Sequence, residues 1–315
     1  MMHYFQKLRR TCLKKVSERK FPQISFKNPP FAIIGIPGSL CEVSLCLRFV
    51  PDDQPIFFVA NGLDPWELQW AKSNLKFDGF LEISSILPHG DVIDLLLHGI
   101  NEPFGIMDYD CIILNPSYFS KLWNLTNNTL VNAIFGQKNR ELELDIPETF
   151  IMFLNAPIIR QICNSYQVDS NLTYYSKLNK KVKSKLHEIG IDRTHLPESF
   201  KDYIDTAKLW IALGLAEHYQ ISFIDRHYTL SEDFVNVFHA GAGNKTNRIN
   251  SLWNVRGTYF WRRTLETCND RALQKRYYQK YGNLKSEVIP QMVPDLCKQI
   301  GESYFEAVEK IINYA

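Results

Sequence analysis

The stretch Ile56-Phe57-Phe58-Val59-Ala60-Asn61-Gly62-Leu63-Asp64-Pro65-Trp66-Glu67 decides the fold. Its unbroken apolar run reads as a strand buried on both faces, stopped by Asn61-Gly62. Asp64 then caps a helix, with Pro65 at the first helical position and Glu67 three residues after the cap. The periodicity carries that helix to about Asn74. Phe31-Ala32-Ile33-Ile34-Gly35-Ile36, closed by Pro37-Gly38, is an earlier strand of the same kind. Phe80-Leu81-Glu82-Ile83 is a third, and residues 90–98 form a helix rich in leucine. Strands alternating with short helices predict an α/β fold, with a mostly parallel sheet covered on both faces. In such sheets ligands bind outside the carboxyl ends of the strands.

Working outward, residues 1–20 read as a short amphipathic helix. Phe5, Leu8, Cys12, Leu13 and Val16 fall at helical spacing among basic residues. Phe21-Pro22 and Asn28-Pro29-Pro30 mark a boundary. Beyond it, Phe150-Ile151-Met152-Phe153-Leu154 is a strand ending at Asn155, and Pro157 opens a helix to about Cys163. Residues 174–188 read as a lysine-rich helix and 202–218 as an amphipathic one. Ile221–Ile224 and Phe234–Phe238 are late strands. The pattern from about 255 to 315 is mostly helical. The expected division is a basic N-terminal helix over 1–27, a catalytic domain over 28–250 and a helical segment over 251–315.

Composition excludes several classes. The chain has 315 residues, 45% hydrophobic and 22% charged, which rules out global disorder. Net charge is +2, but residues 1–20 hold seven Lys or Arg against Glu18, or +6, which leaves −4 for the rest. A nearly neutral body disfavours nucleic acid as a partner. The basic N-terminus suggests a possible peripheral membrane contact through residues 1–20. Seven cysteines at scattered positions, with no C-x-x-C pair, exclude a zinc ribbon and a disulfide framework. Reduced thiols point to a cytoplasmic chain. No apolar run approaches a membrane span, and no apolar segment of the signal-peptide kind follows the basic N-terminus.

The chemistry centres on Phe104-Gly105-Ile106-Met107-Asp108-Tyr109-Asp110-Cys111-Ile112-Ile113-Leu114. One Asp-x-Asp is expected by chance in a chain with 17 Asp, so position carries the weight. An apolar strand runs into two carboxylates and a second apolar stretch runs out. Such carboxylates repel each other unless a cation or solvent screens them. A divalent ion, Mn²⁺ or Mg²⁺, takes two hard oxygens and keeps positions open for substrate oxygens. The competing reading is a solvated turn. His239 ends a late strand in His-x-Gly-x-Gly and is a competent third ligand, or else a histidine hydrogen-bonded in a loop. Beyond it, Gly241 lets backbone N–H groups approach a phosphate, and Lys245 adds charge.

These residues resemble the GT-A type nucleotide-sugar glycosyltransferases over roughly residues 30–245. Residues 104–116 are similar to that family's strand–DxD–strand element. Thr149 to Asn155, with Ile158, Ile159 and Arg160, look like its acceptor-side strand and helix. The resemblance implies a GT-A-like, Rossmann-type mixed sheet, mostly parallel and flanked by helices. It implies a metal-dependent enzyme moving a sugar from a nucleoside-diphosphate sugar, with UDP the expected base, to a glycan, lipid or polypeptide acceptor. Asp110 would chelate the metal, Asp108 would hold the metal or the donor ribose, and His239 would complete the shell. The nucleoside would sit at Ile36, Pro37 and Gly38 and from Asn61 to Asp64, with Tyr109 beside it. The acceptor side is open among Asp145, Glu148, Asp202, Asp205 and Asn155, with Asp205 preferred and Glu148 and Asn155 next. Two other classes stand beside this one. One is a nucleotide- or partner-binding module that has lost turnover. The other is a peripheral adaptor driven by residues 1–20 and by Lys177, Lys180, Lys181, Lys183 and Lys185. No Walker A, Rossmann G-x-G-x-x-G or G-x-S-x-G sequence supports a P-loop kinase, a dinucleotide enzyme or a serine hydrolase of that type.

Overall fold

The computed structural model describes residues 2–22, 25–139, 144–197, 202–227, 236–241 and 249–314. In chain order the elements are α1 (Met2–Arg19), β1 (Phe31–Gly35), α2 (Leu40–Leu47), β2 (Ile56–Asn61), α3 (Pro65–Asn74), β3 (Gly79–Ile83), α4 (His89–Gly99), β4 (Phe104–Met107), β5 (Cys111–Ile113) and α5 (Ser117–Trp123). Then come β6 (Thr129–Asn139), β7 (Leu144–Pro147), β8 (Ile151–Leu154), α6 (Ala156–Tyr166), β9 (Thr173–Tyr174), α7 (Lys180–His187), β10 (Tyr203–Ile204), α8 (Lys208–Ala216), β11 (Gln220–His227) and β12 (Val237–His239). The chain closes with α9 (Leu252–Glu266), α10 (Arg271–Tyr281), α11 (Ile289–Met292), α12 (Pro294–Ile300) and α13 (Glu302–Tyr314).

The main sheet runs β11-β6-β8-β4-β1-β2-β3, with β7 paired to β6. β1, β2, β3 and β4 are mutually parallel, as are β6 and β11. β8 lies antiparallel between β4 and β6. This is the mixed, mostly parallel α/β sheet that the resemblance implies. The strand period of two divides the core. Phe31, Ile33, Phe58 and Ala60 face α2 and the C-terminal helices, while Ala32, Phe57 and Val59 face α4, α6 and α8. Every residue of β2 is buried, as an unbroken apolar strand requires.

Asp64 caps α3 as the sequence predicts. Its carboxylate accepts the N–H groups of Trp66 and Glu67, and the Glu67 side chain returns to the Asp64 N–H. The second Glu67 oxygen accepts the Gly38 N–H at 2.7 Å, and the Gly38 carbonyl accepts Trp261 Nε1 at 2.9 Å. Gly38 lies at φ +87°, a left-handed conformation that glycine adopts without strain. The turn after β1 is thereby tied both to α3 and to α9.

Several expectations change. α2, α5, β6 and β7 have no counterpart in the sequence reading. The segment read as one helix over 202–218 is the short strand β10 followed by α8. α8 is not amphipathic: eight of its nine residues are buried. Ala207 before it lies at φ +67°, which breaks a continuous helix from 202. The lysine-rich helix starts only at Lys180, capped by the Asn179 side chain on the Val182 N–H. Phe234, Val235 and Lys245 lie outside the described residues, as do the side chains of Phe5 and Leu8. Among the described residues, no helix is long and apolar enough to cross a membrane.

Candidate active site

The carboxyl ends of β1, β2 and β4 open into a cavity of about 570 Å³. Asp108, Tyr109 and Asp110 form the turn between β4 and β5, with the Cys111 N–H bonded to the Asp108 carbonyl. The two carboxylates therefore converge through a turn at the end of β4 and not through the pleat of one strand. β5 then pairs antiparallel with β12, His239 opposite Cys111. The Ala240 N–H donates to the Asp110 carbonyl at 3.0 Å. That register sets the imidazole beside the acids, with His239 Nε2 3.5 Å from Asp110 Oδ1.

One donor atom from each of Asp108, Asp110 and His239 lies within 4.8 Å of the others. An octahedral ion with bonds of about 2.1 Å spaces its ligand atoms about 3 to 4 Å apart, so the cluster is of the right size. Two oxygens and an imidazole suit Mn²⁺ or Mg²⁺. Burial, reinforced by the adjacent Asp110 carboxylate, pushes the Asp108 carboxyl well above its ordinary value. Among the described residues, His239 Nδ1 has no hydrogen-bond partner. The Phe150 ring stacks on this imidazole with centroids 3.6 Å apart, which fixes its plane. A buried, self-repelling acid pair with the Nε2 edge of an imidazole turned toward it fits a cation.

The remaining expected residues divide between the cavity and the frame around it. Ile36, Asn61, Tyr109, Glu148, Asp205 and Gly241 line the cavity. The Asn61 amide accepts the Leu87 N–H at 2.8 Å and donates to the Leu87 carbonyl at 2.9 Å, so it holds the cavity wall. Gly241 lies at φ +106°, and a Cβ there would come within 2.9 Å of the Trp253 ring. Pro37, Gly38 and Asp64 do not line the cavity. Gly38 is engaged as described, and Asp64 caps α3 and pairs with Arg276 at 2.9 Å. Asn155 is also outside; its amide donates to the Thr129 carbonyl at 3.0 Å and ties β8 to β6.

The cavity also holds residues that the sequence reading did not single out for the site: His89, Thr149, Tyr203, Lys208 and Trp253. Lys208 is 1% exposed, opens α8 and pairs with Glu148 at 3.1 Å. A cation in the first turn opposes the helix dipole, and that signal was present in Lys208-Leu209-Trp210-Ile211-Ala212-Leu213. Burial lowers the His89 pKa against the opposing pull of Asp205, which keeps the imidazole neutral. His89 and Tyr203 carry no mark in the local sequence.

Residues 17–159 match a family model described as the StrH glycosyltransferase N-terminal domain. No curated protein matches. Among solved structures, the glycosyltransferase GlyE of Streptococcus pneumoniae TIGR4 is 11% identical with a TM-score of 0.38. That alignment covers 87% of this chain and 64% of GlyE, so this chain spans somewhat less than two thirds of it. The mannosyltransferase PcManGT from Pyrobaculum calidifontis, solved in complex with GDP-Man and Mn²⁺, is 10% identical with a TM-score of 0.38. Here 98% of this chain and 83% of PcManGT are covered. The matched segment runs from the end of α1 through the two carboxylates into α6, and its similarity to a glycosyltransferase domain agrees with the resemblance in the sequence.

Proposed function

We propose that the chain is a metal-dependent glycosyltransferase that moves a sugar from a nucleoside-diphosphate sugar to an acceptor hydroxyl. The observation that carries this reading is the Asp108, Asp110 and His239 cluster facing a cavity at the carboxyl ends of β1, β2 and β4. These three residues would hold Mn²⁺ or Mg²⁺, which supplies charge neutralisation for the departing diphosphate.

The chain's own residues divide the remaining work. Ile34, Ile36 and Leu87 give an apolar wall for the nucleoside, and Asn61 fixes Leu87 through two hydrogen bonds. Gly241 keeps the backbone open beside His239. Across the cavity, Asp205 and Glu148 offer carboxylates to sugar or acceptor hydroxyls, and a carboxylate there takes the acceptor proton if the reaction inverts. Lys208 orients Glu148 through their ion pair. The neutral His89 ring accepts or donates one hydrogen bond on the same side. Asn155, next to Leu154 opposite the first residue of β4, lies at the far end of the sheet from this cavity and takes no part in the site.

The test is a thermal-shift panel of nucleoside diphosphates and nucleotide sugars, UDP first, with and without Mn²⁺. A ligand at about 100 times its dissociation constant adds about 2.7 kcal/mol, a shift of several degrees. A shift that needs both nucleotide and metal supports the reading and names the base. No shift with any nucleotide overturns it.

A further inference from the structure

Among the described residues, eight large hydrophobic side chains are exposed; two of them line the cavity, and three more adjoin cavity-lining residues in the chain or the sheet. Ile86 at 61% and Trp253 at 42% line the cavity itself, and Leu252 at 38% precedes Trp253. Tyr174, 44% exposed, is paired in register with Tyr203, which lines the cavity. Leu172, 45% exposed, follows Asn171, whose backbone packs on Gly90 next to His89. Exposed apolar groups concentrated in this way mark an interaction site and not a random scatter.

The same edge is strongly basic. Between Ser170 and His187 the chain carries five lysines and no acid. Lys177, Lys180 and Lys181 are exposed, and Lys177 Nζ lies 4.8 Å from the centre of the Tyr174 ring. Aromatic and aliphatic side chains flanked by unopposed lysines match the boundary of an anionic bilayer, where rings enter the headgroup layer and ammonium groups meet phosphates. In α1, by contrast, two cations are engaged with the fold: Arg10 forms an ion pair with Asp91, and Lys14 pairs with Asp94 at 2.8 Å, while Lys15 and Arg19 stay exposed.

We propose that the mouth of the cavity, from Leu172 to Lys181 and across to Ile86 and Trp253, docks on an anionic lipid surface. The acceptor would then be presented to the cavity from that surface. The surface assignment stands on exposure and charge, and only the acceptor clause rests on glycosyl transfer. It also moves the membrane contact away from residues 1–20.

The experiment is co-sedimentation of the full chain with vesicles holding about 30% phosphatidylglycerol in phosphatidylcholine, beside pure phosphatidylcholine. The expected result is binding to the anionic vesicles only, weakened by added salt. Lys177→Ala with Lys180→Ala should lower the partition coefficient about thirtyfold, from about 1 kcal/mol per lysine at the surface. Leu172→Ser with Tyr174→Ser should also lower it, and none of these four residues lines the cavity. Binding that is absent, or that both double variants keep, overturns the proposal. The nucleotide-induced thermal shift is read on the same samples. Vesicle binding without that shift sinks the glycosyltransferase reading and leaves the lipid surface standing.

Discussion

Asp110 is 6% exposed, with a second carboxylate and an imidazole within reach of its oxygens. A side chain kept there for stability would be a poor choice, because a buried acid beside another acid destabilises the apo fold. Asp110→Asn should therefore abolish the metal-dependent nucleotide shift and leave the apo melting temperature unchanged or slightly higher. An apo loss of several degrees would assign the carboxylate a structural role. A second residue-scale prediction concerns Cys268. Interaction with the Cys41 thiol lowers its pKa to about 7 despite partial burial, while Cys41 is pushed well above its ordinary value. Alkylation followed by peptide mapping should show Cys268 labelling that rises through about pH 7. Cys41→Ala, which removes the donor, should move that midpoint upward; an unchanged midpoint removes the coupling. Both aspartates and the histidine were legible as ligand types in the sequence. Lys208 was legible only as a misfit in its helix, and His89 not at all, because its chemistry comes from neighbours distant in the chain.

At the scale of elements, α1 shows how charge placement overrides a surface reading. The sequence presents a basic amphipathic helix, and the fold packs that helix on α4. Asp91 and Asp94 are 3% and 4% exposed. Burial would raise the Asp91 carboxyl, but hydrogen bonds from Arg10 and Asn171 outweigh it and hold it below its ordinary value of 3.8. Since the folded value is the lower one, the ionised form favours docking. The contribution is complete at neutral pH and is lost as pH falls through the folded value. The protection factors of α1 amides, taken relative to the intrinsic exchange rate at each pH, should fall on acidification below about pH 4, before global unfolding. Arg10→Ala leaves Asp91 short of a partner and should cost about 2 kcal/mol, a few degrees of melting temperature. A variant as stable as the parent chain, with α1 equally protected, would show that the pair contributes nothing. α3 lies at the opposite pole of legibility, since its cap, its proline and its Glu67 are all local signals.

Over the whole molecule, the C-terminal helices complete one face of the sheet. Trp261, Tyr277 and Tyr304 are each at most 1% exposed and share a core cluster with Phe31, Phe58 and Met107. Tyr304 donates to the Ala240 carbonyl at 3.2 Å, directly after His239, and Trp261 holds the turn after β1. Removing residues 251–315 should therefore abolish cooperative melting of the remaining chain, measured by circular dichroism. A truncated chain with a sharp transition would make that segment an appendage, as the 251–315 boundary in the sequence suggests. Trp261→Ala should cost about 3–5 kcal/mol through its cavity.

The alternation of buried strands and capped helices, the parallel character of the sheet and the place to look for a ligand were all determined by the sequence itself. Each rests on short-range periodicity and on backbone groups that must be capped or paired within a few residues. The antiparallel insertion of β8, the strand β6 and the union of His239 with Asp110 were decided by tertiary structure. β6 carries the buried Asn132, whose amide donates to the carbonyls of Leu122 and Asn124, so its apolar pattern is broken by a polar residue whose N–H groups are taken up by the preceding segment. His239 meets Asp110 only because β12 takes its register from β5, more than a hundred residues earlier. No local pattern can encode such a pairing, because its energy comes from burying two distant segments together.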